Sequence, residues 1–137
     1  MDREIKFRAW DNKNKYMVTS KQGVFTALRN SMNIVRQDNG YYNNGDLLKP
    51  NKGKYTLMQF TGLEDKNGKE IYEGDILKFS EVDTAIVIWN EKYAYFMVKP
   101  IQEYYFDSDV LGQALEYNDN VEKIGNIYDN PELLGGE

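Results

Sequence analysis

Residues 4–10, EIKFRAW, alternate strictly, with Ile5, Phe7 and Ala9 on one side and Glu4, Lys6 and Arg8 on the other. A period of two predicts a half-buried strand. The polar run DNKNK then supplies a turn and YMVT resumes the pattern, so the chain opens on a β-hairpin. The next apolar runs, GVFTALR (23–29) and NIVR (33–36), are too short to separate strand from helix. Residues 38–54, DNGYYNNGDLLKPNKGK, hold four Asn, three Gly and one Pro and predict a long loop, with Tyr41 and Tyr42 paired inside it.

Beyond that loop, YTLMQFTGL (55–63), TAIVIWN (84–90), YAYFMVKP (93–100), EYYF (103–106) and VEKIGNIY (121–128) read as strands. Their regular spacing indicates a small barrel or a sandwich. Within DVLGQALEY, residues Val110, Leu111, Ala114 and Leu115 recur at helical intervals and predict one short helix near 109–117. Asp109 or Ser108 is placed to cap it. In the tail NPELL, Asn130 stands at a cap position and Pro131 at the first position of a closing turn.

The stretch TGLEDKNGKEIYEGDILKF, residues 61–79, could be a ligand-binding loop or a tight hairpin. Asn67-Gly68 favours the hairpin, because a type I′ turn needs positive φ at both central residues and these two tolerate it best. Glu64, Asp65, Glu70 and Glu73 are then expected on its exposed faces. An EF-hand calcium loop needs Gly at its sixth position, whereas Gly68 is only the fourth residue from Asp65. Gly74-Asp75, leading into ILKF, reads as a second turn.

Composition narrows the chemistry further. A chain of 137 residues is expected to form one domain. It contains 11 Tyr, 6 Phe and 2 Trp, a load that favours strands. With no Cys and no His, it has neither thiolate sites nor the nucleophile-imidazole pairs of common hydrolases. NNGDLL and NGKEIYEG lack the glycine spacing and the lysine of a phosphate-binding loop. Asp107 and Asp109 lie two apart and could share a strand face, but helix capping is the simpler role. No catalytic, cofactor-binding or metal-ligating residue is assigned.

Charge is distributed unevenly. Residues 1–60 carry 11 Lys+Arg against 5 Asp+Glu, a balance of +6, and residues 61–137 carry 6 against 17, a balance of -11. Such halves can neutralise each other within one fold or between subunits, and a basic half can meet nucleic acid. Arg3, Lys6, Arg8, Lys13, Lys15 and Lys21, interleaved with Trp10 and Tyr16, are the candidates for the last reading. Against it stands an acidic pI near 4.9. Tyr93 and Tyr95 are expected on one strand face and Ala94 and Phe96 on the other, with Tyr104 and Phe106 repeating the pattern. These aromatics belong either to the core or to a subunit contact. The opening MDREIKFRAW has no signal-peptide core, and no apolar run approaches a membrane span.

Three blocks, EIKFRAWD, LMQFTGLEDKNGKEIYEGDILKF and IGNIYDNPELL, resemble in order the YopX family of phage and prophage proteins. The resemblance implies a mainly β fold with a small Src-homology-3-like barrel, a phage or prophage origin and a bacterial cytoplasmic setting. It implies no activity, since the family is uncharacterised. The organisation expected is a single domain over 1–137, with an N-terminal β extension (1–37), the long loop (38–54) and a barrel core (55–130). The function expected is that of a non-catalytic protein-interaction module that forms a homo-oligomer and meets an unknown host or phage macromolecule. Nucleic-acid binding through the basic N-terminal half is the alternative.

Overall fold

The computed structural model describes residues 3–31, 55–102 and 108–135, with backbone only for 27–31. The predicted loop 38–54, the run 33–36, the strand EYYF and Asp107 lie outside the described residues. Among the described residues the fold is mainly β, with eight strands in two sheets, consistent with a small barrel. The chain divides into two compact units, Lys6–Gln59 on one hand and Met1–Ile5 with Phe60–Glu137 on the other.

In the first unit, strand β1 (Phe7–Asp11) is the middle strand between β2 (Tyr16–Val18) and the first half of β3 (Tyr55–Glu64), antiparallel to both. The opening hairpin is therefore present, with Asp11 opposite Tyr16. Its burial departs from expectation: Arg8, Ala9, Trp10 and Asp11 are all buried, while Ile5 is 58% exposed. Alternation determines which side chains share a face but not what covers that face, and a helix packs on this strand. That helix is α1 (Lys21–Ser31), which packs on β1 and β2 and settles the undecided run 23–29. Ser20 starts it, its Oγ accepting from Gly23 N at 3.0 Å, so the N-terminal extension is not wholly β.

In the second unit, β4 (Glu70–Tyr72) returns antiparallel on the second half of β3. A four-stranded antiparallel sheet follows in the order β7-β6-β5-β8, built from β5 (Asp75–Lys78), β6 (Thr84–Asn90), β7 (Tyr95–Pro100) and β8 (Glu122–Asn126). One face of β6 and β7 delivers Ala85, Val87 and Val98 to a core shared with Ile71, Leu77, Leu111, Ala114 and Val121. Helix α2 (Leu111–Tyr117), close to the predicted span, closes this core through Leu111 and Ala114. Each fully buried aliphatic side chain contributes about 1.5–3 kcal/mol, so this cluster holds the unit together.

The caps differ in detail from those expected. Val110 occupies the cap position of α2 without a side-chain bond, and the Asp109 carboxylate instead accepts from Tyr95 Oη at 3.2 Å. Asn130 does precede the closing turn Pro131–Leu134, but its Oδ1 accepts from Asn126 N at 3.1 Å rather than from the turn.

Candidate functional site

Two features of the second unit bear on function. One is polar and inward, the other aromatic and exposed.

The polar feature grows from the central hairpin. Gly68 N donates to Asp65 O at 3.0 Å and Asp65 N to Lys69 O at 2.9 Å, so residues 64–70 do form a hairpin. Its turn is not the type I′ expected, because Gly68 has φ +80° while Asn67 is not among the residues with positive φ. It is a type I turn closed by a left-handed glycine. The reason is Asp65, whose Oδ1 accepts from Asn67 N at 2.8 Å and Lys69 N at 2.9 Å. An aspartate that bonds the amides ahead of it stabilises the right-handed turn instead.

Asp65 is also not on an exposed face. It is 7% exposed, and its Oδ2 accepts from Lys123 N on β8 at 2.8 Å. Beside that bond, Lys66 N donates to Val121 O at 3.0 Å. Burial pushes the Asp65 carboxyl up, but the amides of Lys123, Lys69 and Asn67, together with the charge of Lys69, outweigh it and hold the group below its ordinary range. The Lys123 ammonium lies 3.0 Å from Asp75 Oδ2 and donates to Glu70 O at 2.9 Å. Asp75, fully buried, accepts from Tyr72 N at 2.7 Å, and Gly74 has φ +87°, which makes Gly74-Asp75 the turn predicted.

The aromatic feature surrounds the turn 90–94. Asn90 Oδ1 accepts from Tyr93 N at 2.9 Å, and Ala94 completes the reversal at φ +58°. Tyr93 therefore sits in the turn rather than on a strand face with Tyr95. Register places Trp89 opposite Phe96, and their rings meet edge to face at 4.8 Å. Trp89 is 40% exposed and Tyr93 67%, with Lys92 Nζ 5.2 Å from the Tyr93 ring. Nothing within the segment 84–90 marks Trp89; only the pairing of 84–90 with 95–100 as a hairpin brings it beside Phe96.

The basic candidates near the start of the chain separate. Arg8 and Trp10 are buried, whereas Arg3, Lys13, Lys15, Lys21 and Tyr16 are exposed. Among the described residues no helix is long and apolar enough to cross a membrane.

No curated protein matches the chain. Among solved structures it is similar to protein EF1440 from Enterococcus faecalis, seen in a crystal structure, at 28% identity and a TM-score of 0.57 over 97% of this chain and 99% of that one. The YopX protein family model matches residues 6–135, from the start of β1 past the closing turn, and the chain belongs to that family.

Proposed function

We propose that this chain is a non-catalytic protein-interaction module, encoded by a phage or prophage and acting in the bacterial cytoplasm, that self-associates and meets a further host or phage macromolecule. The observation that carries the reading is the exposure of Trp89 and Tyr93 beside one turn, since large aromatics left on a surface mark contact sites. Covering about 500 Å² of such surface is worth about 12 kcal/mol before the costs of association, against about 0–1 kcal/mol for an exposed ion pair. Aromatic burial therefore dominates over the opposed charges of the two halves. The buried carboxylates Asp75, Asp11 and Asp65 are all engaged, Asp75 and Asp65 by backbone amides and Lys123, and Asp11 by the amides of Lys13 and Asn14, which favours a structural role for them over acid-base chemistry.

Light scattering on the full chain tests this. An oligomer that persists in about 1 M salt, where the screening length is near 3 Å, and is weakened by Tyr93→Asp supports the reading. A monomer at every concentration defeats it. Repeating the measurement with duplex and single-stranded DNA reads the nucleic-acid alternative, which has lost Arg8 and Trp10 to the interior and relies on Lys13, Lys15, Lys21 and Tyr16.

A further inference from the structure

Strand β8 is at the edge of its sheet, and an edge strand offers unpaired amides and carbonyls to any strand that reaches it. Its inner side is taken by β5, with Glu122 opposite Lys78. Backbone groups alternate sides along a strand, so Val121 O and Lys123 N point away from β5. Neither meets a strand. Val121 O accepts from Lys66 N and Lys123 N donates to Asp65 Oδ2, so one amide and one carboxylate of the 65–69 turn stand where a neighbouring strand would place an amide and a carbonyl.

We propose that Asp65 plugs the edge of β8, and that withdrawing its carboxylate opens that edge to β8 of a second copy of this chain. The occupant follows from the geometry. In an antiparallel pair about a twofold axis at Glu122, Lys123 N of each copy donates to Val121 O of the other, the same two groups that the turn satisfies in the single chain. The plug differs from a strand in being titratable. The charged groups around it are Lys69 on its own turn, Lys123 on β8 and, beyond the Lys123 ammonium, Asp75 at the head of β5. With its carboxyl held below the ordinary range, Asp65 keeps the edge closed at neutral pH and releases it in acid. Glu122 adds a second restraint of the same sign, because the twofold axis sets it against Glu122 of the other copy, and like charges directly opposed disfavour pairing.

The experiment uses the full chain carrying Tyr93→Asp, which removes the aromatic contact, and reads amide exchange by residue together with mass by light scattering at pH 7. Asp65→Asn turns an amide donor toward Lys123 N. The expected result is exchange at Lys123 faster by about tenfold or more, and a mass that doubles with concentration once Glu122→Gln is added. The Glu122→Gln chain that retains Asp65 stays single. Unchanged exchange at Lys123 in a folded Asp65→Asn chain overturns the plug. Faster exchange without a doubled mass in Asp65→Asn/Glu122→Gln overturns the pairing. Should Asp65→Asn not fold, the Glu122→Gln chain acidified from about pH 7 until the carbon resonance of the Asp65 carboxyl shows it protonated gives the same two readouts, and failure of either while its near-ultraviolet spectrum is native overturns the proposal. Association through Trp89 and Tyr93 is scored separately, by Tyr93→Asp alone against the unaltered chain.

Discussion

The turns at 65–69 and 90–94 belong to the same unit, and each begins on a residue whose side-chain oxygen accepts from amides of its own turn. They spend that similarity differently. The first gives its left-handed position to Gly68 at φ +80°, while the second puts Ala94 there at φ +58°. The second oxygen of Asp65 reaches Lys123 N on another strand, whereas the amide of Asn90 donates within its own hairpin, to Met97 Sδ at 3.5 Å. Around Asp65 the polar groups turn inward. Around Asn90, Trp89 and Tyr93 stay in solvent. One turn is committed to the protein's own backbone, and the other retains exposed aromatic surface and a left-handed alanine, the features on which the proposed contact site rests.

The sharpest way to break the comparison is to remove the first residue of each turn. Asp65→Ala leaves the amides of Asn67, Lys69 and Lys123 without their acceptor, at about 1–3 kcal/mol for each that remains buried. A loss of about 3–5 kcal/mol is expected, and Asn90→Ala should cost about 1 kcal/mol or less, on the scale of one partly exposed bond. Urea unfolding of the two variants checks both values. Equal losses would erase the distinction.

The left-handed positions give the next effect. Gly68→Val forces a β-branched residue to positive φ and should destabilise by about 1–3 kcal/mol. Space is not the cause, since a Cβ at Gly68 would meet nothing within 4 Å. Ala94→Gly should run the other way and stabilise by up to about 1 kcal/mol, because relief of the left-handed cost exceeds the entropy that glycine adds to the unfolded chain. Thermal melts read the opposite signs.

Acid separates the turns as well. The folded Asp65 carboxyl lies below its unfolded value, so the stability it contributes is complete above about pH 3.9 and is lost as pH falls through the folded value. Asn90 does not titrate. Amide exchange followed through the acid range should therefore show Asn67 and Lys69 losing protection before Tyr93 does, and the reverse order would count against a charged bond at Asp65.

Smallest in stability is the exposed surface itself. Tyr93→Asp should change the unfolding free energy by no more than about 0.5 kcal/mol while lowering the mass in solution. A large stability loss with unchanged mass would make Tyr93 a packing residue.

Much of this was legible from residue order. TAIVIWN is β6 at the bounds its alternation shows, VEKIGNIY contains β8, and the helical spacing of Val110, Leu111, Ala114 and Leu115 marks α2. These elements depend on neighbours two to four residues away, and periodicity reports such neighbours directly. The helical state of 23–29 was within reach too, through Ser20 as a cap, but the short apolar run hid it.

What the tertiary structure alone decided is burial and partnership. Glu64, Asp65, Glu70 and Glu73 look alike in sequence, yet only Asp65 joins the short side chain and the first turn position to a strand 58 residues further along the chain. Arg8 reads as the polar face of a strand, yet on the middle strand of its sheet it is buried. Trp89 and Phe96 become a pair only through register. Local pattern determines which way a side chain points, while what waits there is supplied by distant segments, and for a carboxylate or an aromatic ring that difference decides between a fastening and a surface.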